Sequence, residues 1–538
     1  MRQRITYLVP EGVEADPSTV KVSKTKLIFQ SANLAAVEKR LTTSSSDIPA
    51  SVHELHIRWA SPRDYSAISP LASRIPPGLH VFYTPTQSSN EYAISNSLDI
   101  EITDGCSSDI CPLLKELFDK DLTCDSVAES FSRLPILSER FAASSTYQYF
   151  HALPKLLQFQ AAFARKACDK GDTACIGRIA TLSSASYFDI DFDAISNVLT
   201  LTGFWPISSQ NGISHQVVEK LRVQDTVEVG VLHSEKADEP EELKLGGHLT
   251  VLGDSEKPSQ YAHSVALETV LTNDTGGTLF SFPSRHHPLP EGSRTTYSIA
   301  FQQPTGLHPK LDIKFPAKEL APPRDSCALH AYFTLPSALF IDRYQLSDPL
   351  FLASQNLVSL RSLSGEDDLE APDWVVLRWG SAALLELAHP DTALRSSTED
   401  WTVTIPTHLR YLSSALSANE SSSPTDKASL DIPWPNLFWA CDAEDGLKMT
   451  TNPFDRVNLG YDGLFGPRTM FYHIPPQPTN GKQLMDTLSV PVLDARAADW
   501  VQIATLMAVL LGFAWICWKL VGGNVQSRRK TSQKTKDK

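Results

Sequence analysis

Short runs of alternating apolar and polar residues, separated by Ser- and Pro-rich connections, dominate the first hundred positions: Arg4 to Val9, Lys26 to Phe29, His53 to Trp59 and His80 to Tyr83. Such a period places successive side chains on opposite faces of a strand, so residues 1 to about 105 are predicted to be strands joined by loops. From Cys111 to about Arg178 the spacing becomes helical, through Leu114, Leu117 and Phe118 and then Leu156, Leu157, Phe159, Ala162 and Phe163. Pro154 is placed to begin the second helix and Gly171 to end it. Strand-like runs return at Thr226 to Leu232, Lys244 to Leu252, Ala262 to Leu271, Thr278 to Phe282 and Thr295 to Phe301. Leu339 to Tyr344, Trp374 to Trp379, Leu384 to Leu387 and Trp401 to Ile405 continue them, at intervals suited to a β-sandwich.

The last pattern is of another kind. Val501 to Trp518 contains only Gln502 and Thr505 as polar residues, with Trp500 at one end and Trp515 and Trp518 at the other. As a helix it rises roughly 27 Å, about the hydrocarbon thickness of an endoplasmic reticulum (ER) bilayer, and the tryptophans suit the two interfaces. This predicts one membrane span. The tail from Lys519 holds seven basic residues and one acid, so the positive-inside bias makes it cytosolic and puts the preceding body in the lumen. A signal for glycolipid attachment would end in the apolar run and not in a basic tail. The opening MRQRITYLVPEGVEADPSTV has only a short apolar run broken by Pro10, unlike a signal peptide, so the C-terminal span is expected to serve as the address.

The expected organisation is a mainly β, sandwich-like chain. Its parts are a luminal β-rich region at 1–310 with a helical insertion around 111–178, a second β-rich domain at 311–475, a linker at 476–499, a transmembrane helix at 500–521 and a basic tail at 522–538. Composition adds a sign: 41 basic residues face 61 acidic ones before Lys519, a balance that repels nucleic acid. Cys106, Cys111, Cys124, Cys168, Cys175, Cys327 and Cys441 lie outside the span and Cys517 within it. Their spacings fit no zinc pattern, and in an oxidising lumen they allow two local disulfides and a longer one, with connectivity left open. Cys327 and Cys441 flank the second domain as one possible pair. Asn273 and Asn419 head sequons in polar surroundings.

Candidate chemistry is sparse. Phe188 to Asp193 contains a DxD pair of the kind that holds a divalent metal against a sugar nucleotide, but its strict alternation reads as a half-buried strand with a solvated acidic face. His286 and His287, beside Pro288, read as a surface loop rather than a metal site, and Glu235 to Glu242 as a solvated loop. His408, Arg410 and Tyr411 read as a structural or partner-binding group, with Asp342, Asp368 or Glu370 as expected partners of Arg410. No catalytic residue, cofactor or metal site is assigned.

Four stretches then stand out in order: LPSALFIDRYQL from Leu335, DLEAP from Asp368, IPTHLRYL from Ile405 and WPNLFWAC from Trp434. With the single span after them, they resemble the PIG-X family over about residues 311–521, and its fungal members in the long N-terminal extension. Gln345 stands where that family usually has glutamate, which argues against a catalytic carboxylate there, and Thr407 stands where leucine is common. The resemblance implies a non-catalytic, single-pass ER-membrane subunit that stabilises a multi-span, PIG-M-type mannosyltransferase. That enzyme adds the first mannose to the precursor of the glycosylphosphatidylinositol (GPI) anchor. The fungal members further imply a broader part in the folding or stability of other ER proteins. Ala504, Ala508 and Gly512 offer a close-approach face on the span, and Lys534 and Lys536 match a cytosolic dilysine retrieval signal. The alternatives are a membrane-anchored luminal enzyme, for which Gly253-Asp254-Ser255 is too weak a nucleophile motif, and a general ER chaperone.

Overall fold

In a computed structural model, residues 2–534 are described apart from 14–19, 23–25, 32–33, 45–47, 49–50, 87–109, 136–145, 169–170, 208–213, 220–225, 238, 253–277, 291–292, 392–398, 414–426, 448, 450, 479–482 and 493–494. Asn273, Asn419, Lys536, Cys106, Ala262 to Leu271 and Gly253 to Ser255 therefore lie outside the described residues. The fold class is the one expected: mainly strands, helices within the 111–178 region and one apolar C-terminal helix.

Residues 2–283 build an eleven-stranded sheet. Its spatial order is Thr278–Pro283, Glu242–Leu252, Thr226–Glu235, Arg2–Val9, Ala36–Ser44, Val198–Pro206, Tyr187–Asp193, Val52–Ala60, Gly78–Pro85, Tyr147–His151 and Ser132–Arg133. Register fixes what each face carries. Phe188, Ile190 and Phe192 lie opposite Trp59, Ile57 and Leu55, so their side chains share one apolar face. Helices Ile110–Leu117 and Leu157–Ala167 cover part of that face, with Phe159 between Phe118 at 5.0 Å and Phe188 at 4.7 Å. Further along the same face, Ile5, Tyr7, Val227 and Val229 pack with Leu27, Phe29 and Val218 of a three-stranded sheet.

The helical insertion is more broken than its spacing predicts. Strands Ser132–Arg133 and Tyr147–His151 fall inside it, because the aromatic run at 147–150 extends the sheet edge. The second helix starts at Leu157, three residues after Pro154, and stops at Ala167, before Gly171.

Residues 286–473 supply a six-stranded sheet in the order His286–Pro288, Thr469–His473, Asn436–Asp442, Ala328–Pro336, Gly380–Leu387 and Leu357–Gly365. A further three-stranded sheet joins Ser298–Phe301, Lys310–Pro316 and Asp400–Pro406. Disulfides Cys111–Cys124 and Cys327–Cys441 close loops of 13 and 114 residues, and Cys168 is disulfide-bonded as well. Residues 1–410 and 431–487 form one compact unit. Residues 411–430 and 488–538 form the other, which contains helix Ala495–Lys534. Within that helix, Asp499–Leu520 is long and apolar enough to cross a membrane, and it supports a single-pass membrane protein.

The acidic face of Phe188 to Asp193 is solvated only toward Asp193, whose carboxylate accepts from the Ile195 and Ser196 amides at the surface, and it is covered at Asp189. Asp189 is 2 % exposed and lies between two guanidiniums: Arg456 binds it bidentately at 2.9 and 2.6 Å, and Arg58 Nη1 is 3.0 Å away. Arg58 also donates to Asp191 at 3.2 Å and to the carbonyls of Val457 and Asn458. Asp191 takes a further bond from His56 at 2.8 Å. Alternation identifies the strand correctly, but the C-terminal segment around Arg456 covers the Asp189 end of its polar face, so Asp189 and Asp191 neutralise buried arginines. Burial raises the Asp191 carboxyl, but Arg58 and His56 outweigh it and hold the carboxyl below its usual range.

The histidine pair is likewise internal. His286 and His287 lie in a strand paired in parallel with Thr469–His473, and His286 Nδ1 is 2.9 Å from His473 Nε2. Strand pairing overrides the loop expectation set by Pro288. Glu241, at the end of the acidic segment, is also buried, bound by Arg324 at 2.6 Å.

These imidazoles give the fold a predicted pH dependence. Burial pushes His80 and His473 down to about 3 and His287 and His330 to about 4, and it lowers His286, His151 and His408. Unfolded, each titrates near its ordinary value, so the unfolded chain binds more protons between the folded values and about pH 6.5. Their contribution is complete above that pH and is lost as pH falls. Each deeply buried one changes stability by up to about 1.4 kcal/mol per pH unit, and the half-exposed His408 by less. His56, Asp455, Glu38 and Asp64, all raised, act in the opposite sense but are outnumbered. The urea midpoint of the full chain is expected to drop between pH 7 and pH 5, and a flat or rising midpoint would refute this balance.

Candidate functional site

Three of the four distinctive stretches meet at Arg410. Strand His408–Leu409 pairs with Leu339–Phe340, and the Arg410 amide donates to Ala338 O at 2.9 Å. The pairing turns the side chain inward, where Nε donates to Ser337 O at 3.0 Å and Nη1 to Ala371 O at 2.7 Å. The guanidinium also stacks over Phe340 at 4.5 Å. Asp342, Asp368 and Glu370 do not bind Arg410 directly, contrary to expectation. Main-chain carbonyls take its hydrogens, while burial lowers its pKa against the opposing pull of Glu366, Asp368 and Asp373.

The surrounding loops are locally determined. Asp342 accepts from the Tyr344 amide at 2.8 Å, and this Asx turn ends after Phe340 the strand expected to run to Tyr344. Asp368 likewise accepts from the amides of Glu370 and Ala371. Asp373–Val375 is a 3-10 turn, where a strand is expected over Trp374 to Trp379, and Ser337 Oγ ties it down by donating to Asp373 at 2.6 Å. Thr407 uses the hydroxyl that a leucine would lack to hold Pro309 O at 2.7 Å. Gln345 Oε1 lies 3.1 Å from His408 Nε2, and His408 Nδ1 meets His308 Nδ1 at 2.8 Å.

Outward, this corner exposes large apolar side chains among charged ones such as Arg343 and Asp367. Tyr344 is 64 % exposed, Trp374 61 %, Val375 58 % and Leu377 60 %. Exposed clusters of large apolar side chains characterise interaction surfaces. Tyr411, the residue after Arg410, is 67 % exposed. The corner can therefore set the shape of a contact surface: buried groups fix loops whose tips carry aromatic and aliphatic side chains. Trp374 to Leu377 escape the sequence reading because it assigns them to a paired strand. Ser337 and Phe340 lie within the first stretch without a signal of their own.

The fourth stretch is core. Strand Asn436–Asp442 carries Phe438 and Trp439, both fully buried, and ends in the Cys327–Cys441 disulfide. Ala504, Ala508 and Gly512 lie on the exposed apolar helix, and Lys534 is its last residue. Among the described residues, no group of three or more His, Cys, Asp or Glu could hold a metal ion.

Comparison with known proteins adds the family. The PIG-X / PBN1 family matches residues 304–521. Protein pbn1 of Emericella nidulans is 44 % identical, over 97 % of this chain and 95 % of its own length. Protein pbn1 of Aspergillus oryzae is 43 % identical over 99 % of each. Protein PBN1 of Saccharomyces cerevisiae is 31 % identical over 44 % of this chain and 48 % of its own length.

Proposed function

The chain belongs to the PIG-X / PBN1 family, and from that premise we propose that it is the non-catalytic subunit that stabilises the GPI mannosyltransferase I catalytic chain, a multi-span, PIG-M-type enzyme. It acts in the ER membrane with its body luminal and its tail cytosolic, and it also supports other ER proteins in folding. The observation that carries this reading is the Arg410 corner, where three family stretches support one another's backbone and hold Tyr344, Trp374 and Leu377 outward. A subunit that binds only the folded enzyme stabilises it by mass action without chemistry of its own. His408, Arg410 and Asp342 shape this surface from behind, Tyr411 contributes to partner binding, and Ala504, Ala508 and Gly512 supply the contact within the bilayer. Asn273 and Asn419 are glycan acceptors and Lys534 with Lys536 the retrieval signal. Residues 1–310 form an N-terminal region that accompanies the PIG-X-like domain at 311–475.

Depleting the protein is expected to lower the steady-state amount of the mannosyltransferase and mannose addition to GPI precursors together. An enzyme that stays abundant and active overturns the proposal. The double change Trp374→Ser with Leu377→Ser is expected to reduce recovery of the complex about tenfold or more. The thermal transition of the chain itself should be unchanged, because both side chains are exposed.

A further inference from the structure

The face of the eleven-stranded sheet that carries Asp189 also carries, two strands away, arginines that the buried network does not absorb. Arg4 and Arg40 stand directly opposite each other on antiparallel strands Arg2–Val9 and Ala36–Ser44, and Arg2 stands opposite Thr42. On the next strand Thr200 lies opposite Thr42. Like charges directly opposed in a sheet are unfavourable, so this arrangement needs counter-charge. Glu228, on the neighbouring parallel strand, accepts from Arg2 at 2.8 Å and Arg4 at 2.9 Å, so one carboxylate serves two guanidiniums.

Arg40 is left with Glu38, 3.6 Å away on its own strand, and its Nε is buried without a hydrogen-bond partner. A buried guanidinium N–H without an acceptor is costly. Asp191 lies opposite Thr200, but His56 and Arg58 already hold it. Arg2, Arg4, Arg40, Thr42 and Thr200 line a cleft of about 160 Å³, roughly ten times what one water molecule needs. Planar guanidinium forks and hydroxyls are suited to the oxygens of a tetrahedral anion.

We propose that this cleft is an oxyanion site for a phosphate group, with Arg40 as its principal ligand and Arg2, Arg4, Thr42 and Thr200 completing the cradle. The site is independent of the Arg410 corner and of the partner assigned above. The phosphate belongs either to a free ion or soluble ester or to a phospholipid headgroup, and the two share the chemistry that the cleft recognises.

The test uses the full chain in detergent at pH 7. Sodium phosphate is compared with sodium chloride at equal ionic strength, so that general screening cancels. Phosphate is expected to raise the thermal transition saturably where chloride does not, and Arg40→Gln is expected to weaken phosphate binding about tenfold or more. Thr42→Val with Thr200→Val keeps every charge and is expected to weaken it severalfold, which guards against misfolding of the arginine variant. An equal response to both salts, or a response that both variants retain in full, overturns the proposal. Tighter binding of a water-soluble short-chain phosphatidylinositol than of inorganic phosphate assigns the lipid source. Equal or weaker binding assigns the free one.

Discussion

Replacing Asp189 with alanine is expected to destabilise the body by about 3–5 kcal/mol, the usual cost of breaking a buried ion pair from one side. Its carboxylate meets Arg456 at 2.6 Å and Arg58 at 3.0 Å, and the side chains of all three are less than a tenth exposed. Without it, Arg58 keeps Asp191 and two main-chain carbonyls. Arg456 loses the carboxylate that holds its guanidinium charged at depth. Asp189→Asn should cost nearly as much, because it keeps the shape and removes the charge. The pair Asp189→Leu with Arg456→Met removes both charges together and should recover much of the loss, since apolar replacement of a whole buried pair is often near neutral. Urea midpoints of the four proteins would check this. A double variant as unstable as the alanine variant would mean that packing around Tyr187, over which Arg456 lies at 4.2 Å, outweighs the charges.

That network marks the limit of what the pattern along the chain can reveal. Alternation identifies Tyr187–Asp193 as a strand because it is a local property, and it identifies the strands Arg2–Val9, Val52–Ala60 and Gly78–Pro85 for the same reason. Whether an acidic face meets water depends on a segment more than 250 residues later, as Arg456 and Asp189 show. Ala36–Ser44 and Val198–Pro206 escape prediction although they are central strands. Their outward positions hold Glu38, Arg40 and several threonines, so neither reads as an apolar run. At the Arg410 corner the sequence singles out the right stretches but the wrong partners. Arginine beside acidic loops suggests ion pairs, whereas Asp342 and Asp368 spend their oxygens on neighbouring amides, which leaves backbone carbonyls for the guanidinium. The local hydrogen bond forms at small entropic cost, and the distant one must compete with it.

Removing the Cys327–Cys441 disulfide is expected to cost more than removing Cys111–Cys124, because a cross-link restrains the unfolded chain in proportion to the logarithm of the loop it closes. For separations of 114 and 13 residues, the chain-entropy account gives about 4.7 and about 3 kcal/mol, within the roughly 2–5 kcal/mol seen when native disulfides are removed. Placement adds to the difference. Cys441 ends the strand that carries Phe438 and Trp439, and Cys327 directly precedes Ala328–Pro336, its antiparallel neighbour, so the bond fastens two central strands of the six-stranded sheet at one end. Cys111–Cys124 instead fastens a short helix to the loop after it. The double serine variants should therefore separate clearly in urea midpoint, with the Cys327→Ser, Cys441→Ser protein the less stable. An equal or reversed order would mean that the longer loop is already restrained in the unfolded chain. Treating the wild-type chain with reductant, which opens the other disulfides as well, should cost at least the larger loss. Such dependence is what a body facing an oxidising compartment would show, and it bears directly on the proposed orientation: a luminal body loses this stability if it is held in the cytosol, whereas a cytosolic one would never have acquired it.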